Sequence, residues 1–171
     1  MKTRIFSALL TSALLFITGC GYHWGSIMHP QVKSIAIAPV VNETTAYNVA
    51  SDMRMMLAEQ FTLDGSLELT SLETSDCILE TRVLSVKFTE IDDDSYDASV
   101  IYRPSEWEVI VEAEFRVIIP GVREPLVKPR KVTGRALFKS QADMETNRIQ
   151  ATRMACSEAA KLIIIYTTEA W

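Results

Sequence analysis

Apolar and polar residues alternate most regularly from Trp107 to Ile119. Every second residue there is apolar and most of the residues between are charged, which predicts a strand with one buried and one wetted face. In the segment Cys77–Glu90 the apolar residues also alternate, but after Val83 they shift from odd to even positions, which indicates a β-bulge. Shorter apolar runs bounded by turn residues indicate further strands. The predicted strands are Ser34–Val40, Leu67–Leu72, Cys77–Glu90, Trp107–Ile119 and Val132–Lys139.

Helical spacing dominates two other segments. Behind the capping residues of 42–45, apolar residues including Met53 recur every three or four positions up to Phe61, and Gly65 suits the end of that helix. A second helix is predicted over 142–168, with Ile149, Cys156, Ala160 and Ile163 on its buried face. Together these elements predict an α+β fold. We expect a two-layer sandwich with two helices packed on one face of a four- to five-stranded mixed or antiparallel sheet.

The N-terminal segment has the pattern of a lipoprotein signal. Lys2 and Arg4 precede an apolar stretch that ends at Ile17, which is too short to cross a membrane because a spanning helix needs about 20 apolar residues. Residues 17–20 read Ile-Thr-Gly-Cys, a lipobox that predicts cleavage before Cys20 and acylation of its thiol. We therefore predict a signal peptide at 1–19, a membrane-proximal anchor segment at 20–31 and a single α/β domain at 32–171.

Charge and composition exclude several classes of function. The chain has 17 basic and 22 acidic side chains, a net charge of −5, so a broad basic surface for nucleic acid is not expected. The histidines, His23 and His29, precede the predicted core, and no phosphate-binding glycine loop is present. The acidic run that starts at Asp92 lacks the spacing of a calcium loop. We expect no enzymatic activity, no metal and no cofactor.

Two cysteines fall within the predicted domain. Cys77 and Cys156 both lie on apolar faces, where a free cysteine behaves as a small hydrophobic residue. An oxidising periplasm would also permit a disulfide between the strand and the last helix. The sequence is compatible both with two free thiols and with one disulfide.

Several segments occur together in a particular order. They are the lipobox followed by "GYHWG", the strand "IAIAPVVNET" leading into a helix, the strand pair "CILETRVLSVKF" and "SEWEVIVEAEFRV", and the closing helix. In this order they resemble the LPS-assembly lipoprotein family LptE. The resemblance covers nearly all of the chain after Cys20. It implies a lipoprotein held by its lipid at the periplasmic face of the outer membrane, where it plugs an LptD-like β-barrel and assists insertion of lipopolysaccharide. Gly21 after Cys20, in place of aspartate, also favours the outer membrane.

The resemblance also implies roles for particular residues. Arg103, in "ASVIYR", corresponds to a basic lipopolysaccharide-binding position, and the guanidinium fork suits a phosphate. Tyr22 and Trp24 are aromatic residues of the kind found at membrane interfaces and are candidates for contact with the barrel; the alternative is a flexible tether with two incidental aromatics. Lys139 is a further candidate for lipopolysaccharide binding.

A second basic group begins within "IPGVREP" and continues after it. We predict that it forms a hairpin tip stiffened by prolines, which is either solvated or in contact with lipid A phosphates or barrel carboxylates. Its members are Arg123, Lys128, Arg130 and Lys131.

A different function is compatible with part of the same pattern. "SIAIAPVVNETT" followed by an amphipathic helix also resembles envelope scaffold or regulatory lipoproteins, such as penicillin-binding-protein activators and curli-secretion-like modules. A protein of that class would bind protein partners only. The absence of a long polar tether after Cys20 favours the LptE interpretation.

Overall fold

One mixed sheet carries the fold. The computed structural model describes residues 32–91, 106–139 and 143–168. The strands are β1 (Ser34–Ile37), β2 (Val41–Asn42), β3 (Glu68–Leu69), β4 (Cys77–Ile91), β5 (Glu106–Ile118) and β6 (Val127–Lys139). They lie in the order β3-β1-β4-β5-β6, with β2 also pairing with β4. The pairings of β1, β2 and β3 are parallel, whereas β4, β5 and β6 are antiparallel to one another.

Two helices, α1 (Val49–Asp64) and α2 (Met144–Thr168), pack on one face of this sheet. The predicted α+β two-layer sandwich is therefore confirmed. Helix α1 ends, as predicted, at Gly65 with a left-handed φ of 67°. Its start differs from the prediction, because the N-cap is Asn48, itself left-handed at φ 63° and without a side-chain capping bond.

The closing helix approaches the sheet closely because small residues line the contact. Ala151, Ala155 and Ala159 are buried on α2, and Gly134 on β6 lies beneath them. The prediction that Ile149 belongs to this buried face is wrong, since 51% of the residue is exposed. Ile149 is two residues before Ala151, roughly 200° around the helix axis from it, so at the start of α2 it lies on the side away from the alanine row.

The β-bulge predicted after Val83 is present. The register of β4 against β5 shifts between Val83 and Ser85. Before the shift Leu79 and Val83 face the helices, and after it Val86 and Phe88 pack against the same core. The extra residue therefore keeps apolar side chains on one face along the whole strand.

The last strand is longer than predicted. It starts at Val127, which pairs with Val117 after a register shift in β5. The prediction of a basic hairpin tip is therefore wrong for Lys128, Arg130 and Lys131, which belong to β6, while Arg123 precedes the strand. Pro129 is tolerated within β6 because this is an edge strand, where a missing N–H need not break the ladder.

Candidate functional site on the open sheet face

The face of β4, β5 and β6 that points away from the helices is covered by no other described element. We call this surface the open face. Its members alternate along each strand with the residues buried beneath α1 and α2. They are Ile78, Glu80, Arg82, Ser85, Lys87, Glu108, Ile110, Glu112, Glu114, Arg116, Ile118, Lys131, Thr133, Arg135 and Leu137.

Ion pairs cross the open face between β4 and β5. Arg82 pairs with Glu114 directly across the strands and also reaches Glu43 at 3.4 Å. The Glu114 carboxylate is the main reason that the pKa of Arg82 is raised. Arg116 pairs in the same way with Glu80. Both guanidinium groups are therefore already bound to carboxylates of the same sheet.

A second set of ion pairs joins β5 to β6. Lys131 Nζ lies 3.2 Å from a Glu112 oxygen, and Arg135 lies 3.5 Å from Glu108. The central strand thus supplies glutamates, and its two neighbours supply most of the bases. Each of these four bases has a carboxylate partner, whereas Lys87, opposite Ile110, has no ion pair among the described residues. The open face therefore has little free positive charge to offer a phosphate.

Apolar side chains lie between the ion pairs. Ile78 is directly opposite Ile118, and Ile110 lies between Lys87 on one side and Arg135 on the other. Leu137 on β6 is 54% exposed. A surface of neutralised charges with interspersed aliphatic groups is typical of a protein-binding patch rather than of an anion site.

A depression of about 380 Å³ opens at one end of this face. Pro39 and Pro129 form part of its wall, and the two arginine–glutamate pairs form its charged rim. Its charged groups satisfy one another, so the depression is not organised for a free anion.

The structure separates the predicted lipopolysaccharide-binding residues. Arg123 and Lys128 are exposed near the start of β6, whereas Lys139 ends the strand. At about 3.3 Å per residue, Lys128 and Lys139 are roughly 35 Å apart. One phosphate group cannot contact both ends.

The remaining members of the basic group have intramolecular partners. The Arg130 guanidinium lies 4.4 Å from the ring centroid of Tyr166 on α2, a cation–π contact. Lys131 is bound to Glu112 as described above. Lys139 is opposite Glu106, the first described residue after the segment that contains Arg103. Cys20, Tyr22, Trp24 and Arg103 themselves lie outside the described residues, as does the acidic run at Asp92.

A smaller cleft of about 310 Å³ lies where α1 begins and α2 passes the end of β4. Asp52, of which only 8% is exposed, accepts a hydrogen bond of 3.2 Å from Arg153. Arg148 lies 4.2 Å from the ring centroid of Phe88. These contacts tie the two helices to each other and to the sheet.

The two domain cysteines are free buried thiols, which confirms one of the two states left open by the sequence. Burial raises the pKa of both Cys77 and Cys156 to about 12. Neither thiol is therefore a nucleophile at neutral pH. Within 32–91, 106–139 and 143–168, no group of three potential metal ligands is assembled. None of the helices in these ranges combines the length and apolarity needed to cross a membrane.

The ion pairs across β4, β5 and β6 were not among the features predicted from the sequence. The charge pattern of the two strands does indicate such pairs. The charged residues that alternate with the apolar ones in β5 are nearly all glutamates, whereas all charged residues of β6 are bases. Adjacent strands of opposite charge predict cross-strand pairs once their pairing is known.

Comparison with known proteins identifies the fold. No family model and no curated protein matches the chain. The minor lipoprotein from Acinetobacter baumannii superposes with a TM-score of 0.55 at 13% identity, covering 81% of this chain and 94% of that one. The PelC dodecamer from Paraburkholderia phytofirmans gives 0.52 at 10% identity, with 82% and 92% covered. A hypothetical protein from Chlamydia trachomatis gives 0.52 at 12% identity, with 80% and 96% covered.

These similarities show that the chain has a fold found in bacterial lipoproteins. The likeness extends over most of each structure, so the fold is shared as a whole and not as one fragment. At this level of identity it concerns the fold alone. The more specific resemblance to LptE stays a prediction.

Proposed function

We propose that this protein is an outer-membrane lipoprotein that docks against an LptD-like β-barrel and assists the insertion of lipopolysaccharide. The lipobox at Cys20 supports anchoring by lipid, and the sequence resemblance to LptE supports the choice of partner. Two or three acyl chains on one protein give stable anchoring, because each buried methylene contributes about 0.8 kcal/mol. No enzymatic step is part of this proposal.

The observation that carries the proposal is the open face. The sheet packs its helices on one side only, and the other side carries matched ion pairs around Ile78, Ile110 and Ile118. Burying a charge without a partner costs several kcal/mol, whereas a charge that keeps its partner is less costly to cover. This face is therefore suited to lie against the wall of a protein.

The same observation limits where lipid A is contacted. The open face offers little unpaired positive charge, so we assign phosphate contacts to bases that have no carboxylate partner among the described residues. At one end of β6 this is Lys139; at the other end these are Arg123 and Lys128. Lys139 stands on the same side of β6 as Arg135 and Leu137 but at its end, so the proposed lipid contacts lie at the margin of the proposed docking surface.

The experiment is affinity capture of the full-length protein from detergent-solubilised outer membranes, with identification of the proteins that co-purify. We expect a large β-barrel in a 1:1 complex. Ile110→Arg should abolish co-purification, because it places an unpaired charge at the centre of the open face. The matched control is Leu63→Arg on α1, where the replaced leucine is 71% exposed on the helix layer.

Two outcomes contradict the proposal. Equal loss of the barrel with both variants would mean that the open face is not the docking surface. Recovery of other envelope proteins without any barrel would instead support the scaffold or regulatory function, which needs only protein partners.

A further inference from the structure

Strand β6 forms one end of the sheet, so one of its sides has no strand beside it among the described residues. The strand is long for an edge, from Val127 to Lys139. Helix α2 packs on its face, and no described element covers the row of main-chain groups along its side. An edge of this length is a template for pairing with another extended chain.

The edge is strongly basic although the protein is acidic overall. Strand β6 carries five bases and no acid, whereas the whole chain has a net charge of −5. The side chains of Lys131 and Arg135 remain 62% and 64% exposed even though each contacts a glutamate of β5. The five bases are Lys128, Arg130, Lys131, Arg135 and Lys139.

On the open face, charges of opposite sign stand opposite each other on neighbouring strands. Arg82 and Lys87 on β4, three glutamates on β5, and Lys131 and Arg135 on β6 follow one order, and the Glu80–Arg116 pair reverses it between β4 and β5. A further strand with carboxylates at alternate positions would continue this order. Opposite charges on neighbouring strands stabilise the pairing, and like charges opposite each other destabilise it.

The same charges exclude a second copy of this chain as the occupant of the edge. Two copies of β6 paired with each other would set bases against bases along the whole strand. The opposite edge of the sheet, β3, is acidic at Glu68 but extends only to Leu69. It is too short to match β6.

We propose that the free edge of β6 accepts an acidic extended segment of a partner protein as an additional strand. Main-chain hydrogen bonds along Lys131–Lys139 hold the segment, and its carboxylates lie beside the outer sides of Lys131, Arg135 and Lys139. Pairing stops before Pro129, which has no N–H to donate. Lys131 and Arg135 also belong to the open face and Lys139 is also a proposed lipid A contact, but the added strand is held by main-chain groups at the side of the sheet, so slowed main-chain exchange in β6 distinguishes it from both.

The test uses the full-length mature lipoprotein in detergent micelles and a synthetic peptide of roughly nine residues with glutamate at alternate positions and threonine between them. The control peptide has lysine in place of each glutamate. Binding is measured by fluorescence anisotropy, and main-chain pairing by hydrogen exchange followed by mass spectrometry. We expect the acidic peptide alone to bind and to slow exchange at least tenfold in fragments from Lys131–Lys139, with no change in β4.

A matched pair of variants localises the effect. Arg135→Glu on the edge should weaken binding of the acidic peptide at least threefold, whereas Arg116→Glu on the central strand should leave it within twofold. Each variant loses one ion pair to a glutamate, with Glu108 and Glu80 respectively. Arg135→Gln, which introduces no new charge, serves as the edge variant if Arg135→Glu fails to fold by circular dichroism.

Several results would overturn the proposal. Binding of the acidic peptide without slowed exchange in β6 would mean attraction by surface charge only. If Arg116→Glu weakens binding of the acidic peptide as much as Arg135→Glu does, the attraction is again by surface charge only. Slowed exchange that depends on protein concentration in the absence of peptide would identify a second copy as the occupant. Failure of the peptide to bind at low salt would exclude the added strand.

Discussion

Gly134 of β6 lies directly beneath Ala159 of α2. A Cβ atom at position 134 would stand 2.6 Å from the Ala159 nitrogen and even closer to the Ala155 carbonyl oxygen. These are backbone atoms, which cannot move aside as a flexible side chain can. The contact between the last strand and the closing helix therefore depends on the absence of a side chain at this position.

Gly134→Ala should destabilise the protein by about 1–3 kcal/mol or more, because α2 must move away from the sheet to admit the methyl group. The measurement is urea unfolding followed by circular dichroism. Thr133→Ala, one residue earlier on the open face, is the control and should cost no more than about 1 kcal/mol. If Gly134→Ala leaves the free energy of unfolding unchanged, helix α2 is not held this close to β6.

Cys77 and Cys156 should be unreactive in the folded protein, because burial raises the pKa of both thiols to about 12. In a Cys20→Ala variant, Ellman's reagent should detect no rapidly reacting thiol under native conditions. After unfolding in guanidinium without reductant it should detect both thiols. Detection of neither after unfolding would instead indicate a disulfide.

Asp76 should stabilise the fold at neutral pH and lose this effect in acid. Its pKa is lowered because its carboxylate accepts hydrogen bonds from the backbone N–H of Lys33, the hydroxyl of Ser34 and the backbone N–H of Ser34, each at 2.9 Å. A carboxylate whose pKa is lower in the folded state contributes stability above its unfolded pKa, and that contribution disappears as the pH falls through the folded value.

The free energy of unfolding of Asp76→Asn should therefore be lower than that of the parent protein at pH 7, and the difference should shrink below about pH 4. Urea unfolding of both proteins at a series of pH values measures this difference. Glu59→Gln, on the exposed side of α1, serves as the control. A difference that is constant with pH would mean that the carboxylate charge has no part in it.

The pair of Asp52 and Arg153 should show energetic coupling between the two helices. Arg153→Met keeps the aliphatic stem but leaves a nearly buried carboxylate without its partner, which should cost roughly 1–3 kcal/mol. With Asp52→Asn in the same chain, the combined loss should be smaller than the sum of the two single losses by about 0.5 kcal/mol or more. Arg54→Met is a control on the exposed surface of α1, and additive losses would argue against the pair.

Lipopolysaccharide binding should depend on Lys139, which ends β6, and on Arg103. Arg103→Asp and Lys139→Asp should each weaken binding of purified protein by roughly tenfold, the loss expected for a charge-assisted hydrogen bond. Arg116→Asp is the control, because Arg116 is already paired with Glu80. If all three variants lose affinity equally, only overall charge matters, and if the unmutated protein does not bind, lipid A has no direct contact.

Local pattern by itself determined the two layers of this protein. The alternation from Trp107 to Ile119 and the helical spacing up to Phe61 specify which side of each element is apolar, and burial of those sides leaves few arrangements. Gly65 and the bulge after Val83 could also be predicted, because backbone conformation and side-chain parity are properties of a few neighbouring residues. The lipobox at Cys20 is of the same local kind.

Tertiary structure decided what the charges do. In the sequence, Lys131 belongs to a group of bases beside prolines, and only the pairing of β6 with β5 shows that its ammonium group is bound to Glu112. The same pairing extends β6 back to Val127 and sets Lys128 far from Lys139. Electrostatic contacts depend on distances between residues remote in the chain, and such distances exist only after the strands have found their register.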